Sequence, residues 1–160
     1  MNVLVIGGAG YIGSHAVLEL CENGHDVTVF DNLSSGHLFN IDSRAEFIQG
    51  DILKNDDLKN VFNGKFEAVF HFAALKAAEE SMLEPGKYAT SNITGTINIL
   101  NQIVKNNIKY FIFSWFQHGF SSCFQCCKMK HCLKLSIKNI LKVIIIENVS
   151  LNKFCPRIDI

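Results

Sequence analysis

Up to residue 113 the chain alternates short runs that are apolar at consecutive positions with longer stretches whose apolar residues recur at helical spacing. Val3-Leu-Val-Ile6, Val27-Thr-Val-Phe30, Ala68-Val-Phe-His-Phe72 and Tyr110-Phe-Ile-Phe113 are the clearest of the apolar runs. A strand with apolar side chains on both faces belongs in a parallel sheet covered by helices on both sides. The pattern predicts strand 2–6, helix 11–23, strand 26–30, strand 45–49, helix 54–62, strand 66–71, helix 85–106 and strand 108–113. Right-handed crossovers then arrange the five strands in the order 3-2-1-4-5, an α/β doubly wound sheet. Punctuation agrees: Gly24 sits where a helix ends in a left-handed residue, Asp56 and Asp57 fall in a first helical turn, and Pro85 suits a helix start.

Beyond Ser114 the alternation stops. Trp115-Phe-Gln-His-Gly-Phe-Ser-Ser-Cys-Phe-Gln-Cys-Cys-Lys follows neither a period of two nor one of 3.6. Composition changes at the same place. Residues 1–114 carry eight Lys/Arg against thirteen Asp/Glu, residues 115–160 seven against two, and five of the six cysteines lie in the second part. Two units are therefore expected, a domain over 1–114 and an atypical Cys/Lys/Phe-rich tail over 115–160. A reading frame shifted near codon 115 would produce such a break. In the tail, Cys123, Cys126, Cys127, His131 and Cys132 are soft ligands without a standard zinc spacing, and they read as reduced thiols rather than a metal site. Leu133 to Ile146 reads as a basic amphipathic helix passing into a strand.

A length of 160 residues suits one domain and is short for a cofactor domain plus a substrate domain. The zero formal net charge offers no electrostatic case for a nucleic-acid partner or an anionic membrane surface. With no basic leader and no spanning apolar run, a soluble cytoplasmic protein is expected.

The chemistry is concentrated at the end of the first strand. Gly8-x-Gly10-x-x-Gly13, between an apolar strand and a helix, is the dinucleotide fingerprint. Its glycines permit a tight turn, close approach of backbone to a pyrophosphate, and close packing of helix on strand. The helix start turns N–H groups and the positive end of its dipole toward the phosphates. The second strand ends in Asp31, where this Rossmann-type pattern requires a carboxylate for the adenosine ribose. A carboxylate there accepts both ribose hydroxyls and repels a 2′-phosphate, so the expected cofactor is NAD rather than NADP. Arg44 is the only arginine before residue 150, and Asn32-Leu-Ser-Ser-Gly36 presents no guanidinium.

Gly7-Gly-Ala-Gly-Tyr-Ile-Gly-Ser-His15, Asp31-Asn-Leu-Ser-Ser-Gly36, Gly50-Asp-Ile52, His71-Phe-Ala-Ala-Leu-Lys-Ala77 with Glu80-Ser81, and Asn92-Ile-Thr-Gly-Thr96 occur in order at suitable spacing. On these motifs, residues 1–114 resemble the N-terminal third of the UDP-glucose 4-epimerases, within the extended short-chain dehydrogenase/reductase family. Lys76 favours the UDP-glucose 4-epimerases over the related sugar-nucleotide dehydratases, with another sugar-nucleotide epimerase or dehydratase as the alternative. The resemblance implies that Gly7, Gly10, Tyr11, Ile12 and Gly13 meet the pyrophosphate. It puts Asp31, Asn32, Leu33, Ser34, Ser35 and Gly36 around the adenosine ribose, and Asp51 and Ile52 beside the adenine. Phe72, Ala73, Ala74, Leu75 and Lys76 would line the middle of the cofactor. Asn92 either braces a neighbouring loop or contacts the cofactor. Taken alone, His71 reads as a hydrogen-bonded core histidine and Phe72 as core packing.

The resemblance further implies a nucleotide-sugar substrate, a homodimer, and interconversion of UDP-glucose and UDP-galactose by transient oxidation at C4, in galactose metabolism. The base in that reaction is the tyrosine of Tyr-x-x-x-Lys, whose lysine lowers the phenol pKa. Tyr11, Tyr88 and Tyr110 are the only tyrosines, and none has a lysine four residues on. Ser114 ends the fifth strand as the family's first serine does, but the catalytic hydroxyl two positions on is replaced by Phe116. Lys134-Leu-Ser-Ile-Lys138 resembles the helix that carries the family's lysine, with Lys130 in the tyrosine's place. No catalytic residue is therefore assigned. The expectation is an NAD-binding chain of epimerase type with impaired catalysis, or an inactive NAD-binding fragment.

Overall fold

The computed structural model describes residues 1–113. They form β1 (Asn2–Ile6), α1 (Tyr11–Glu22), β2 (Asp26–Asp31), a 3-10 turn (Leu38–Asn40), β3 (Glu46–Gln49), α2 (Asn55–Val61), β4 (Ala68–His71), α3 (Ala78–Leu83), α4 (Pro85–Ala89), a π-helical turn (Thr90–Thr94), α5 (Gly95–Lys105) and β5 (Tyr110–Phe113). Every strand pair is parallel and the order is β3-β2-β1-β4-β5, the expected Rossmann-type topology. The tail expectations, the cysteine cluster and the 133–146 helix lie outside the described residues. Among the described residues no helix is long and apolar enough to cross a membrane.

Two-faced apolar strands explain the layering. Val3 and Val5 point to one side, where they pack with Val17 and Cys21 of α1 and with Val27 and Val29 of β2. Leu4 and Ile6 point to the other, against Phe30, Leu58 and Val61 of α2, and Ile99 and Ile103 of α5. Each fully buried aliphatic side chain contributes about 1.5–3 kcal/mol by leaving water, so the alternation holds a helical layer on each face. Gly24 follows α1 with φ +74°, the left-handed helix stop expected of it.

The expected helix 85–106 is instead three pieces, with the π-helical turn between α4 and α5. No side chain of that turn is buried, so core packing does not hold it to α-helical register. Helix α3 was not expected. It buries none of its residues and leaves no apolar period to read. Salt and hydrogen bonds fasten it to α4 instead, with Glu80 accepting from Lys87 Nζ and from Tyr88 Oη at 2.8 Å.

His71 closes β4 and is 1% exposed, a core histidine as expected. Its Nε2 lies 3.1 Å from Thr96 Oγ1, whose proton goes to the Asn92 carbonyl at 2.6 Å. The hydroxyl therefore accepts from His71, so Nε2 carries the proton and Nδ1 is a bare acceptor, without a partner among the described residues. Burial pushes the imidazole pKa down from 6.5 to about 4. The unfolded chain binds the proton more readily, so this group's stabilisation is full above pH 6.5 and is lost as pH falls toward 4. We expect urea unfolding to show a loss on the order of 3 kcal/mol across that window. His71→Gln should flatten the slope between pH 6.5 and 5, and an identical slope in both proteins would refute the assignment.

Candidate functional site

The C-terminal ends of β1, β2 and β4 open into a cavity of about 680 Å³, within the range of small-molecule sites. At its floor three backbones converge. Gly7 has φ +83°, and a Cβ there would stand 2.4 Å from Ala73 N. A Cβ on Gly13 would stand 2.1 Å from the Gly7 carbonyl. Both positions exclude side chains because the protein itself fills the space. Gly10 differs, since its Cβ would meet nothing nearer than 3.4 Å and the residue faces the cavity. Gly10 also begins α1, with no side-chain cap and no acidic residue in the first turn. Uncapped N–H groups and the positive helix end make such a start a place for an anion.

Asp31, at the end of β2, uses its carboxylate partly on the fold. Oδ2 accepts from Ala9 N–H at 3.0 Å and Oδ1 from Leu33 N–H at 2.8 Å. The second bond supports Leu33 in the left-handed region at φ +59°, a costly conformation for a leucine. Two lone pairs per oxygen leave the carboxylate able to accept further donors from the cavity. From the other side, His37 N–H and Asn40 Nδ2 both donate to the Ala9 carbonyl, so the 31–40 loop is clamped to the glycine turn. Arg44 makes paired hydrogen bonds to Asp42, each 2.8 Å.

Two more loops complete the wall. Asp51 N–H donates to Asp57 Oδ2 at 3.0 Å, and the Ile52 carbonyl accepts from Asn98 Nδ2 at 3.1 Å, which holds the turn after β3. The loop after β4 begins with Phe72 N–H donating to the Ile6 carbonyl at 2.8 Å. It ends with a reciprocal pair between Leu75 and Asn92: Leu75 N–H to Oδ1 and Nδ2 to the Leu75 carbonyl, each 2.9 Å.

The cavity gathers residues of all the motifs singled out. Gly7, Gly10, Tyr11, Ile12 and Gly13, then Asp31, Asn32, Ser34 and Ser35, then Asp51 and Ile52, then Phe72 to Lys76 and Asn92 all line it. Leu33 and Gly36 do not. Leu33 serves the turn at Asp31, and a Cβ on Gly36 would lie 2.7 Å from Ala9, so both act behind the wall. The structure adds Asn40, Asp57, Asn98, His71 and Thr96 as supports. Asn92 and Thr96, four apart on one stretch of helix, were the readable signal for the last of these. No His, Cys, Asp or Glu group among the described residues is set to hold a metal ion.

Comparison with known proteins agrees with this geometry. The chain is 48% identical over 115 residues to the UDP-glucose 4-epimerase of Lactobacillus helveticus, covering 71% of this chain and 35% of that protein. It is similar to the crystal structure of the Thermotoga maritima UDP-glucose 4-epimerase with UDP-glucose, with a TM-score of 0.69, 43% identity, and 71% and 37% of the two chains covered. The Bifidobacterium longum UDP-glucose 4-epimerase, solved with NAD+ and UDP, matches with a TM-score of 0.68 and 33% identity over 71% of this chain and 36% of that one. The chain thus spans about a third of the length of the curated relatives it matches. With its residues 3–115 matching the family's model and the glycine turn, Asp31 and the β4 loop built as described, the chain belongs to the NAD dependent epimerase/dehydratase family.

Proposed function

We propose that residues 1–113 hold NAD in the cavity above β1, β2 and β4, as the cofactor half of a UDP-glucose 4-epimerase-type site, and that this 160-residue chain holds it without epimerising sugar. The observation that carries the reading is Gly10, where the protein leaves room for a side chain, opens α1 without a cap, and faces the cavity. That space fits a pyrophosphate lying on N–H groups. Asp31 would take the ribose hydroxyls with the lone pairs the fold leaves it, and Lys76 would add a positive charge above the cofactor's oxygens. Bound NAD supplies hydride acceptance and return. The sugar chemistry needs a base, and no tyrosine in this chain has a lysine four residues on.

Calorimetry of the full chain should show NAD binding, with NADP weaker by about tenfold or more. Gly10→Leu should keep the melting transition and lose NAD, because only the ligand competes for that space. Asp31→Arg should also weaken NAD, though it removes the acceptor of Ala9 and Leu33 as well. Absence of NAD binding by the wild-type chain would overturn the reading. Incubated with NAD and UDP-glucose, the chain should form UDP-galactose no faster than a no-protein blank. Turnover above the blank would overturn the second half of the proposal.

We also propose a homodimer through the outer face of α5 and the π-helical turn before it, with a nucleotide sugar as the substrate class of the complete site. Ile93, Ile97 and Val104 are 56%, 50% and 60% exposed, an apolar face of the kind an interface covers. Sedimentation should give a dimer that Ile97→Asp with Val104→Asp converts to monomer, and a monomeric wild type would refute it.

A further inference from the structure

The π-helical turn Thr90–Thr94 interrupts what would otherwise run as one helix into α5, and such turns cluster at functional sites. Its polar connections reach the end of β4 and the loop after it. Asn92 holds the backbone N–H and carbonyl of Leu75 with its amide, each bond 2.9 Å. Its own carbonyl accepts from Thr96 Oγ1, which in turn accepts from His71 Nε2. His71 is the last residue of β4, so residues 71 and 75 are tied to the same turn of helix and Phe72, Ala73 and Ala74 are slung between them. Lys76 follows the second tie directly. Asn92 commits its amide oxygen and one of its two N–H donors to Leu75. The network also fixes its orientation, since the oxygen must face the N–H and the nitrogen the carbonyl.

We propose that Asn92 is a positioning residue: it acts on the cavity through Leu75, setting the path of the 72–76 backbone and the reach of Lys76. This rests on the NAD reading above. An amide engaged as a backbone mimic across seventeen residues is a brace. Replacing it with Ala removes both bonds. Asn92→Asp keeps the acceptor for Leu75 N–H but sets a carboxylate oxygen against the Leu75 carbonyl, so it should mimic Ala rather than wild type.

The full-length chain tests this with two readouts. Amide hydrogen exchange without ligand should show Leu75 losing protection by about tenfold in both variants, while Phe72, bonded to the Ile6 carbonyl, keeps its own. NAD titration should show Asn92→Ala weakening binding by about tenfold, and in a Lys76→Ala background the same substitution should cost much less. An unchanged Leu75 amide would overturn the brace. Fully additive effects of Asn92→Ala and Lys76→Ala would overturn the route through the loop and make Asn92 a direct ligand. Failure of the wild-type chain to bind NAD would sink the cofactor reading alone, because Leu75 exchange still reports on the brace without it.

Discussion

The convergence of three backbones at Gly7 governs this half-site. The exit of β1, the first turn of α1 and the exit of β4 meet where a single methyl group would stand 2.1–2.9 Å from main-chain atoms. No rotamer adjustment relieves such an overlap, since the obstacles are peptide atoms held by the sheet. The turn can form only with glycine at 7 and 13, and once formed it fixes α1 relative to β4. The cavity follows from that arrangement. Helix α1 starts at the lip of the sheet with no side-chain cap, and the β4 loop lies against the glycine turn.

Asp31 shows how the same groups serve fold and site. A carboxylate with one backbone N–H on each oxygen holds the glycine turn and the left-handed Leu33 together. Each carboxylate oxygen keeps acceptor capacity beyond these bonds, and Asp31 lines the cavity. A 2′-phosphate would be repelled by its charge. Arg44, the one described guanidinium, is paired with Asp42 and so offers no counterweight. The charge that would oppose a 2′-phosphate is the one the turn itself needs.

Much of this was legible because it is local. Apolar runs on both faces identify buried parallel strands, and the glycine spacing with Asp31 one strand later identifies the turn without any tertiary information. Sheet order followed from crossover handedness. The wall formed by residues 72–76 was readable only through family resemblance, since nothing in Phe-Ala-Ala-Leu-Lys by itself distinguishes a cavity wall from a loop. Helix α3 and the π-helical turn were not readable. Both lack buried side chains, and α3 is held by Glu80, Lys87 and Tyr88 rather than by an apolar stripe. Leu33 and Gly36 belong to the same motif but do not line the cavity, because a motif marks which positions are constrained and not whether the constraint faces the cavity or the protein.

The supports follow a rule that distinguishes them from the contacts. Asp57, Asn98, Asn92 and Asn40 each use a side-chain oxygen or amide to bind the backbone of a loop outside their own element, and each secures a different segment around the cavity. A loop without secondary structure has N–H and carbonyl groups that water satisfies when it moves and that something else must satisfy when it is held. Side chains rooted on α2, α5 and the two short helical turns supply those partners from rigid elements. Precision at the cavity is thus delegated to the helices, while the loops contribute shape. The β4 loop is held at both ends through one helical turn, by His71 from the buried side and Leu75 from the exposed side. A displacement of that turn must therefore move the sheet's end and the cavity wall together.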